Sequence, residues 1–165
     1  MALLKNGGIA EDSYQIIETA DELTTAGDAI VVPLELWTEQ RDAVASGRAK
    51  IGVTLPNDVA ARDVADQLVG VDLVRLTFPA FADGRAFTQA RDLREHHGFT
   101  GEIRASGPVF ADQYLFLQRC GVDEVELPND AKVETWLAAA NRYSVFYQSA
   151  QDRRPFAARQ RHAQA

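Results

Sequence analysis

Leu73-Val74-Arg75-Leu76-Thr77-Phe78-Pro79, which runs on into Ala80-Phe81-Ala82-Asp83-Gly84-Arg85-Ala86-Phe87-Thr88, reads as a strand, a turn and the start of a helix. Leu73 to Phe78 is apolar enough for a parallel strand, yet Arg75 and Thr77 alternate with its apolar residues, so one of its faces is polar. Pro79 has no N–H to give to a ladder and ends the pairing. Asp83-Gly84 is a turn signal. Arg85 then stands at a helix N-terminus, where unpaired backbone N–H groups and a guanidinium together suit an anion.

The same unit recurs along the chain. Ala29-Ile30-Val31-Val32 precedes Pro33, Ile51-Gly52-Val53-Thr54-Leu55 precedes Pro56, Glu102-Ile103-Arg104-Ala105-Ser106 precedes Gly107-Pro108, and Asp123-Glu124-Val125-Glu126-Leu127 precedes Pro128. Each reads as a strand followed by a helix. The helices are Leu34 to Ser46, a segment capped by Asn57 or Asp58 and ending at Val69, Arg85 to about His97, and a segment from Asp112 or a neighbour to Cys120. The last is built on Val133, Trp136, Leu137 and Ala140 at i, i+3, i+4 and i+7. Alternating strands and helices imply right-handed crossovers and a parallel sheet. The prolines end its five strands on one edge, the carboxyl edge, where parallel α/β folds hold their ligands.

The polar alternation then selects among parallel folds. Thr54, Arg75 with Thr77, Arg104 with Ser106, and Glu124 with Glu126 share one face of the sheet. A doubly wound sheet buries both faces and does not tolerate two Arg and two Glu on one of them. The expected fold is therefore α/β, with about five parallel β-α units forming a half TIM-barrel-like sheet whose helices lie mainly on one face. A flavodoxin-like doubly wound order is the alternative. The polar face is either an open or partner-covered trough, or a set of Arg–Glu pairs under a covering element. An open trough also invites a homodimer, in which Arg75, Arg104, Glu124 and Glu126 of two copies close on each other.

At the N-terminus, Asn6-Gly7 between short apolar ends signals a hairpin, and residues 1–28 read as an arm rather than core. Residues 29–148 form the single α/β domain. Residues 149–165 read as a flexible basic tail, since 151–165 carry a formal charge of +3 and leave −10 on the rest of the chain.

With 165 residues, 46% of them hydrophobic and 25% charged, the chain suffices for one substantial core. Its net charge of −7 argues against nucleic acid and anionic membrane as partners. A single cysteine, Cys120, excludes an internal disulfide and a cysteine-held metal or cluster within the monomer. No membrane-length apolar run and no signal-peptide core are present, so a cytoplasmic location is expected. No cofactor is evident, because Gly-x-Gly-x-x-Gly, Walker and Gly-x-Ser-x-Gly motifs are lacking, and no metal site is expected. His96-His97 closes a helix and favours its negative end, and Cys120 reads as a buried small residue. The candidate anion- or partner-binding residues are Asp83, Gly84, Arg85, Arg104, Asp112 and Arg75. Arginine positions anions well and transfers protons poorly, so the set suggests binding before catalysis. The competing reading is that Asp83 and Arg85 pair with each other and cap the helix.

With these motifs in place, the chain resembles a bacterial domain-of-unknown-function family associated with assimilatory sulfite reduction and described as a probable oxidoreductase. The resemblance is carried by Val31-Val32-Pro33-Leu34, by Phe78 to Thr88 with Ala90 and Leu93-Arg94, and by Gly101-Glu102-Ile103-Arg104-Ala105. It continues through Asp112-Gln113, Leu117, Arg119-Cys120-Gly121 and Glu126-Leu127. The chain departs from the family at Pro108, which stands where an acidic residue tends to follow the glycine. The resemblance implies an accessory role in sulfate and sulfite reduction, with sulfite reductase haemoprotein as the partner for docking or for electron or substrate delivery. The alternative is a small-molecule enzyme or binding protein with an anion site at the carboxyl edge of the sheet.

Overall fold

The computed structural model describes residues 2–5, 7–152 and 154–159. Five strands follow the expected pattern: β4 (Ala29–Pro33), β5 (Lys50–Leu55), β6 (Leu73–Thr77), β7 (Glu102–Ser106) and β8 (Glu124–Leu127). Three short strands precede them, β1 (Ala2–Lys5), β2 (Gly8–Ala10) and β3 (Gln15–Ile16). All eight join one sheet in the order β2-β1-β8-β7-β6-β5-β4-β3. β3 to β8 are mutually parallel, and the β1–β2 hairpin adds antiparallel to β8. The sheet is therefore mixed rather than purely parallel.

Because β4 to β8 lie side by side in chain order, each right-handed crossover returns its helix to the same face. This order excludes the flavodoxin-like alternative, whose strand order reverses direction. The helices are α1 (Leu34–Glu39), α2 (Arg41–Ala45), α3 (Ala61–Val64), α4 (Arg85–Glu95), α5 (Tyr114–Arg119) and α6 (Val133–Ala140). Val53, Leu55, Val74, Leu76, Ile103, Ala105, Val125 and Leu127 form the apolar face and are buried with Val64, Ala90, Leu93, Leu117 and Trp136 of the helices.

Two helices differ from their expected extents. Leu34 to Ser46 breaks at Gln40 into α1 and α2. The segment after β5 winds for one turn as α3 and tightens to 3₁₀ over Ala65–Leu68, and it is capped by neither Asn57 nor Asp58. Side chains from elsewhere bond the backbone on either side of this segment. Trp37 Nε1 donates to Gln67 O at 2.8 Å and Arg41 Nη2 to Val69 O at 2.7 Å. Gln89 Nε2 donates to Pro56 O and Val59 O, both at 2.7 Å.

The N-terminal hairpin belongs to the sheet, and Leu3, Leu4 and Ile17 are buried, so this segment contributes to the core instead of standing apart from it. Its position also reveals the curvature of the sheet. β2 lies at one edge and β3 at the other, yet only residues 11–14 join them. Five residue steps reach at most about 18 Å. Eight strands laid flat span about 34 Å. The sheet must curl into a trough, a half-barrel, and residues 11–14 cross its mouth as a strap.

The amino edge carries a short repeat, Gly70-Val71-Asp72 before β6 and Gly121-Val122-Asp123 before β8. Both glycines turn with positive φ, 82° and 94°, and both valines are buried. Each aspartate clips the start of the neighbouring strand at two points. Asp72 N–H donates to Ile51 O and Ile51 N–H donates to Asp72 Oδ2, both at 2.8 Å. Asp123 N–H donates to Ile103 O at 2.9 Å, and Ile103 N–H donates to Asp123 Oδ2 at 2.7 Å.

After α6 the chain runs back over α5. Phe146 bridges Phe156, Arg119 lies 4.0 Å from the Phe146 ring centroid, and Arg154 donates to Ala140 O and Gln118 Oε1. The described part of the basic tail thus lies against the body, while residue 153 and residues 160–165 lie outside the described residues.

Candidate functional site

Two places gather the candidate residues, the trough and the carboxyl edge. In the trough, the register sets Thr54, Arg75, Arg104, Glu124 and Lys5 next to one another on successive strands. Two arginines side by side repel, and the neighbouring acids resolve this. Arg75 Nε and Nη2 donate to Glu126 at 2.7 and 3.0 Å, reaching past β7 to β8. Ser106 Oγ donates to the same carboxylate at 2.6 Å. Arg104 Nε donates to Glu124 at 2.6 Å, and Lys5 pairs with Glu102 and Glu124.

The outer fork of Arg104 turns to the strap. Its Nη1 and Nη2 each donate to one oxygen of Asp12 at 2.9 Å, a bidentate pair, and the Tyr14 ring lies 5.5 Å from the guanidinium. The covering element is thus the chain's own strap. Under it, Arg104 and Glu124 are each 1% exposed. Burial lowers the Arg104 pKa, the bonds to Asp12 and Glu124 raise it, and the sum lies above the ordinary arginine value. Burial, together with nearby carboxylates, pushes the Tyr14 hydroxyl up to about 12. Neither group is a proton carrier near neutrality.

At the carboxyl edge, the loops after β5, β6 and β7 converge. Asp83 accepts from the Arg85 backbone N–H at 3.2 Å, from Arg85 Nε and Nη2 at 3.0 and 2.7 Å, and from Asn57 Nδ2 at 2.8 Å. The Arg85 guanidinium beside it brings the Asp83 carboxyl down to about 2. Arg85 is the first residue of α4 and Gly84 its N-cap, without a side-chain cap bond. The pairing reading of Asp83 and Arg85 describes this geometry.

The next loop over meets this one through aromatic rings. Phe81 and Phe110 stack edge to face at 5.3 Å, and both remain more than half exposed. Gln113 Nε2 reaches Phe81 O at 3.5 Å, and Asp112 sits exposed in the same 3₁₀ turn. Below them, Phe78 N–H donates to Ser106 O at 2.8 Å. Gly107 has φ 111°, and a Cβ there would lie 2.1 Å from Phe78 O, so no side chain fits where the loops close up. Phe87 stacks on Phe78 at 5.1 Å and on Phe116 at 4.8 Å, and Phe116 is again more than half exposed.

Of the six candidates, Asp83, Gly84, Arg85 and Asp112 lie at this edge, whereas Arg75 and Arg104 point into the trough. Asp12, Tyr14 and Lys5, which complete the trough, were not among the candidates. No local pattern marks them: β1 reads Ala2-Leu3-Leu4-Lys5, without polar alternation, and the partner of Asp12 is 92 positions away.

Two further clefts open at the amino edge. One of about 530 Å³ is lined by Tyr14, Lys50, Asp72, His97 and Phe99, and one of about 740 Å³ by Lys5, Arg94, Asp123 and Arg154. Several of their ionic groups bond the scaffold. Arg94, for example, donates to Gly121 O, Phe99 O, Gly101 O and, at 2.5 Å, Asp123. Cys120 is buried, and burial pushes its thiol up to about 11, which suits the small packing residue expected there. Among the described residues, no group of three His, Cys, Asp or Glu stands together as a metal site, and no helix is long and apolar enough to cross a membrane.

Fold and site together define a (β/α) half-barrel with an internally paired, strapped trough and an aromatic carboxyl edge. The chain belongs to the family of bacterial proteins of unknown function DUF934, whose model matches residues 52–157. That span runs from β5 to the C-terminal segment and includes the converging carboxyl-edge loops after β5, β6 and β7. No curated protein and no solved structure is matched by the chain.

Proposed function

We propose that this protein is a cytoplasmic accessory protein of assimilatory sulfite reduction, which docks on sulfite reductase haemoprotein through its carboxyl edge and aids electron or substrate delivery. The observation that supports docking is the exposed Phe81–Phe110 pair, with Phe116 in the first turn of α5 adding a third ring. Exposed large aromatic rings clustered on loops are costly in water and typical of interface cores. Arg85, Asp83 and Asp112 lie on the same loops and turns, as polar groups of an interface rim do. The sulfur context rests on the resemblance carried by Phe78 to Arg94. A binding role also agrees with the ionic groups of the trough, which already have partners, and with a cysteine held as a thiol.

The test is capture of purified sulfite reductase haemoprotein by the immobilised chain, compared with Phe81→Ser/Phe110→Ser. Removal of two central rings is expected to weaken capture by at least about thirtyfold, a loss typical of interface anchors, with an unchanged melting temperature. Absence of capture by the wild type, with normal growth on sulfate of a strain lacking the gene, overturns the reading.

A further inference from the structure

The trough carries a second inference, independent of the docking edge. Within it, Lys5, Arg75 and Arg104 face Glu102, Glu124 and Glu126, three positive charges against three negative. Asp12 is the odd acid, and it comes from the strap and not from the sheet. It fills the one edge of Arg104 that the sheet acids leave free, both Nη atoms, while Nε is already held by Glu124.

The strap itself is weakly held. Residues 11–13 are exposed, no regular element includes 11–14, and β3 beyond them is two residues long. Among the described residues, its other hydrogen bonds and ring–cation contacts are an Asp12–Tyr14 turn bond of 3.1 Å and the half-buried Tyr14 ring over Arg104 and near Lys50. Segments with few buried apolar contacts open at low free energy. Opening here uncovers a buried guanidinium, aimed into a concave space and missing one two-oxygen acceptor.

We propose that this is an oxyanion socket occupied in the closed form by the chain's own Asp12, and that a small carboxylate binds Arg104 by displacing the strap. The charge balance selects the ligand class. A monoanion replaces Asp12 one for one, whereas a dianion adds charge beside Glu124 and Glu126, the latter 3.8 Å from Arg104 Nη1. A carboxylate also matches the planar fork that Asp12 now fills. The strap is then a built-in competitor, setting the ligand concentration at which the trough opens.

Acetate is the probe, compared with chloride at matched ionic strength. Asp12→Ala is expected to melt lower than the wild type, because Arg104 loses its partner, and acetate should restore the loss saturably where chloride does not. The double variant Asp12→Ala/Arg104→Met should show no acetate response. In the wild type, hydrogen exchange at the Tyr14 and Gln15 amides should rise with acetate, at a concentration on the order of tenfold or more above that which saturates Asp12→Ala, since strap occupancy divides the apparent affinity. If Asp12→Ala melts alike in acetate and chloride, the socket does not exist. Should that variant not fold, the wild-type exchange decides alone: amides indifferent to acetate overturn the proposal. Neither readout involves the reductase, so failure here leaves the docking proposal standing, and the reverse holds too.

Discussion

The two edges of the sheet are made by the same five β-α units and are built in opposite ways. At the amino edge, carboxylates bond backbone. Asp72 and Asp123 each clip the first turn of ladder on a neighbouring strand, and Arg94 ties three carbonyls to Asp123. At the carboxyl edge, the prolines have ended the ladders, and Asp83 bonds mainly side chains, its backbone contact being only with its own loop. Rings stay exposed there. The difference teaches where a half-barrel can vary: bonds to backbone hold strands together, while bonds between side chains on loops can be exchanged without moving a strand.

That contrast breaks most readily at Asp123. Its replacement by Ala removes the carboxylate bond to Ile103 N–H and the carboxylate partner of Arg94, whose side chain is 14% exposed, and should cost about 2–3 kcal/mol in urea denaturation, as for hydrogen bonds to charged groups. Asp72→Ala loses only the equivalent carboxylate bond to Ile51 N–H and should cost about 1–2 kcal/mol. An Asp72→Ala loss equal to that of Asp123→Ala would mean that the pairing of Arg94 with the Asp123 carboxylate contributes nothing. Losses of neither kind would mean that the amino edge is no firmer than the other.

The local devices of this fold were legible in the sequence, and its long-range closures were not. Proline after each strand, apolar residues alternating with Arg75, Arg104, Glu124 and Glu126, and Asn-Gly near the N-terminus are short-range patterns, and they led to the half-barrel and its hairpin. What covers the polar face was not legible. The Asp12–Arg104 pair depends on the sheet curling until its edges are a few residues apart, which no local pattern encodes. The short α3 was missed as well, and Trp37, Arg41 and Gln89, distant in sequence, bond the backbone on either side of it, contacts that no local pattern encodes. The Gly-Val-Asp repeat was visible but too brief to be informative before its carboxylates were seen on backbone N–H groups. At the carboxyl edge, the sequence placed Asp83, Arg85 and Asp112 on converging loops, but the rings of Phe81 and Phe110 that join them were not singled out.

The smallest effect on stability is expected at Arg85, and it sharpens the comparison most. The side chain is exposed and paired with a residue two positions away, so Arg85→Ala should leave the denaturation midpoint at neutral pH near that of the wild type. The pair should instead be visible in acid. Asp83 titrates at about 2 in the folded chain against an ordinary value of 3.8, so the folded state holds this carboxylate ionised more firmly than the unfolded state does. The resulting contribution is fully present above about pH 4 and fades as the pH falls from there towards 2. Carbon-13 titration of the Asp83 carboxyl measures this directly. In the wild type the midpoint should lie well below 3.8, and in Arg85→Ala it should move back up, with the Asn57 bond and the local backbone retaining part of the shift. A wild-type midpoint at the ordinary value would show that Arg85 is not engaged in solution. Its guanidinium would then stand free beside the N-terminus of α4, and the carboxyl edge would be an anion site as well as an aromatic surface.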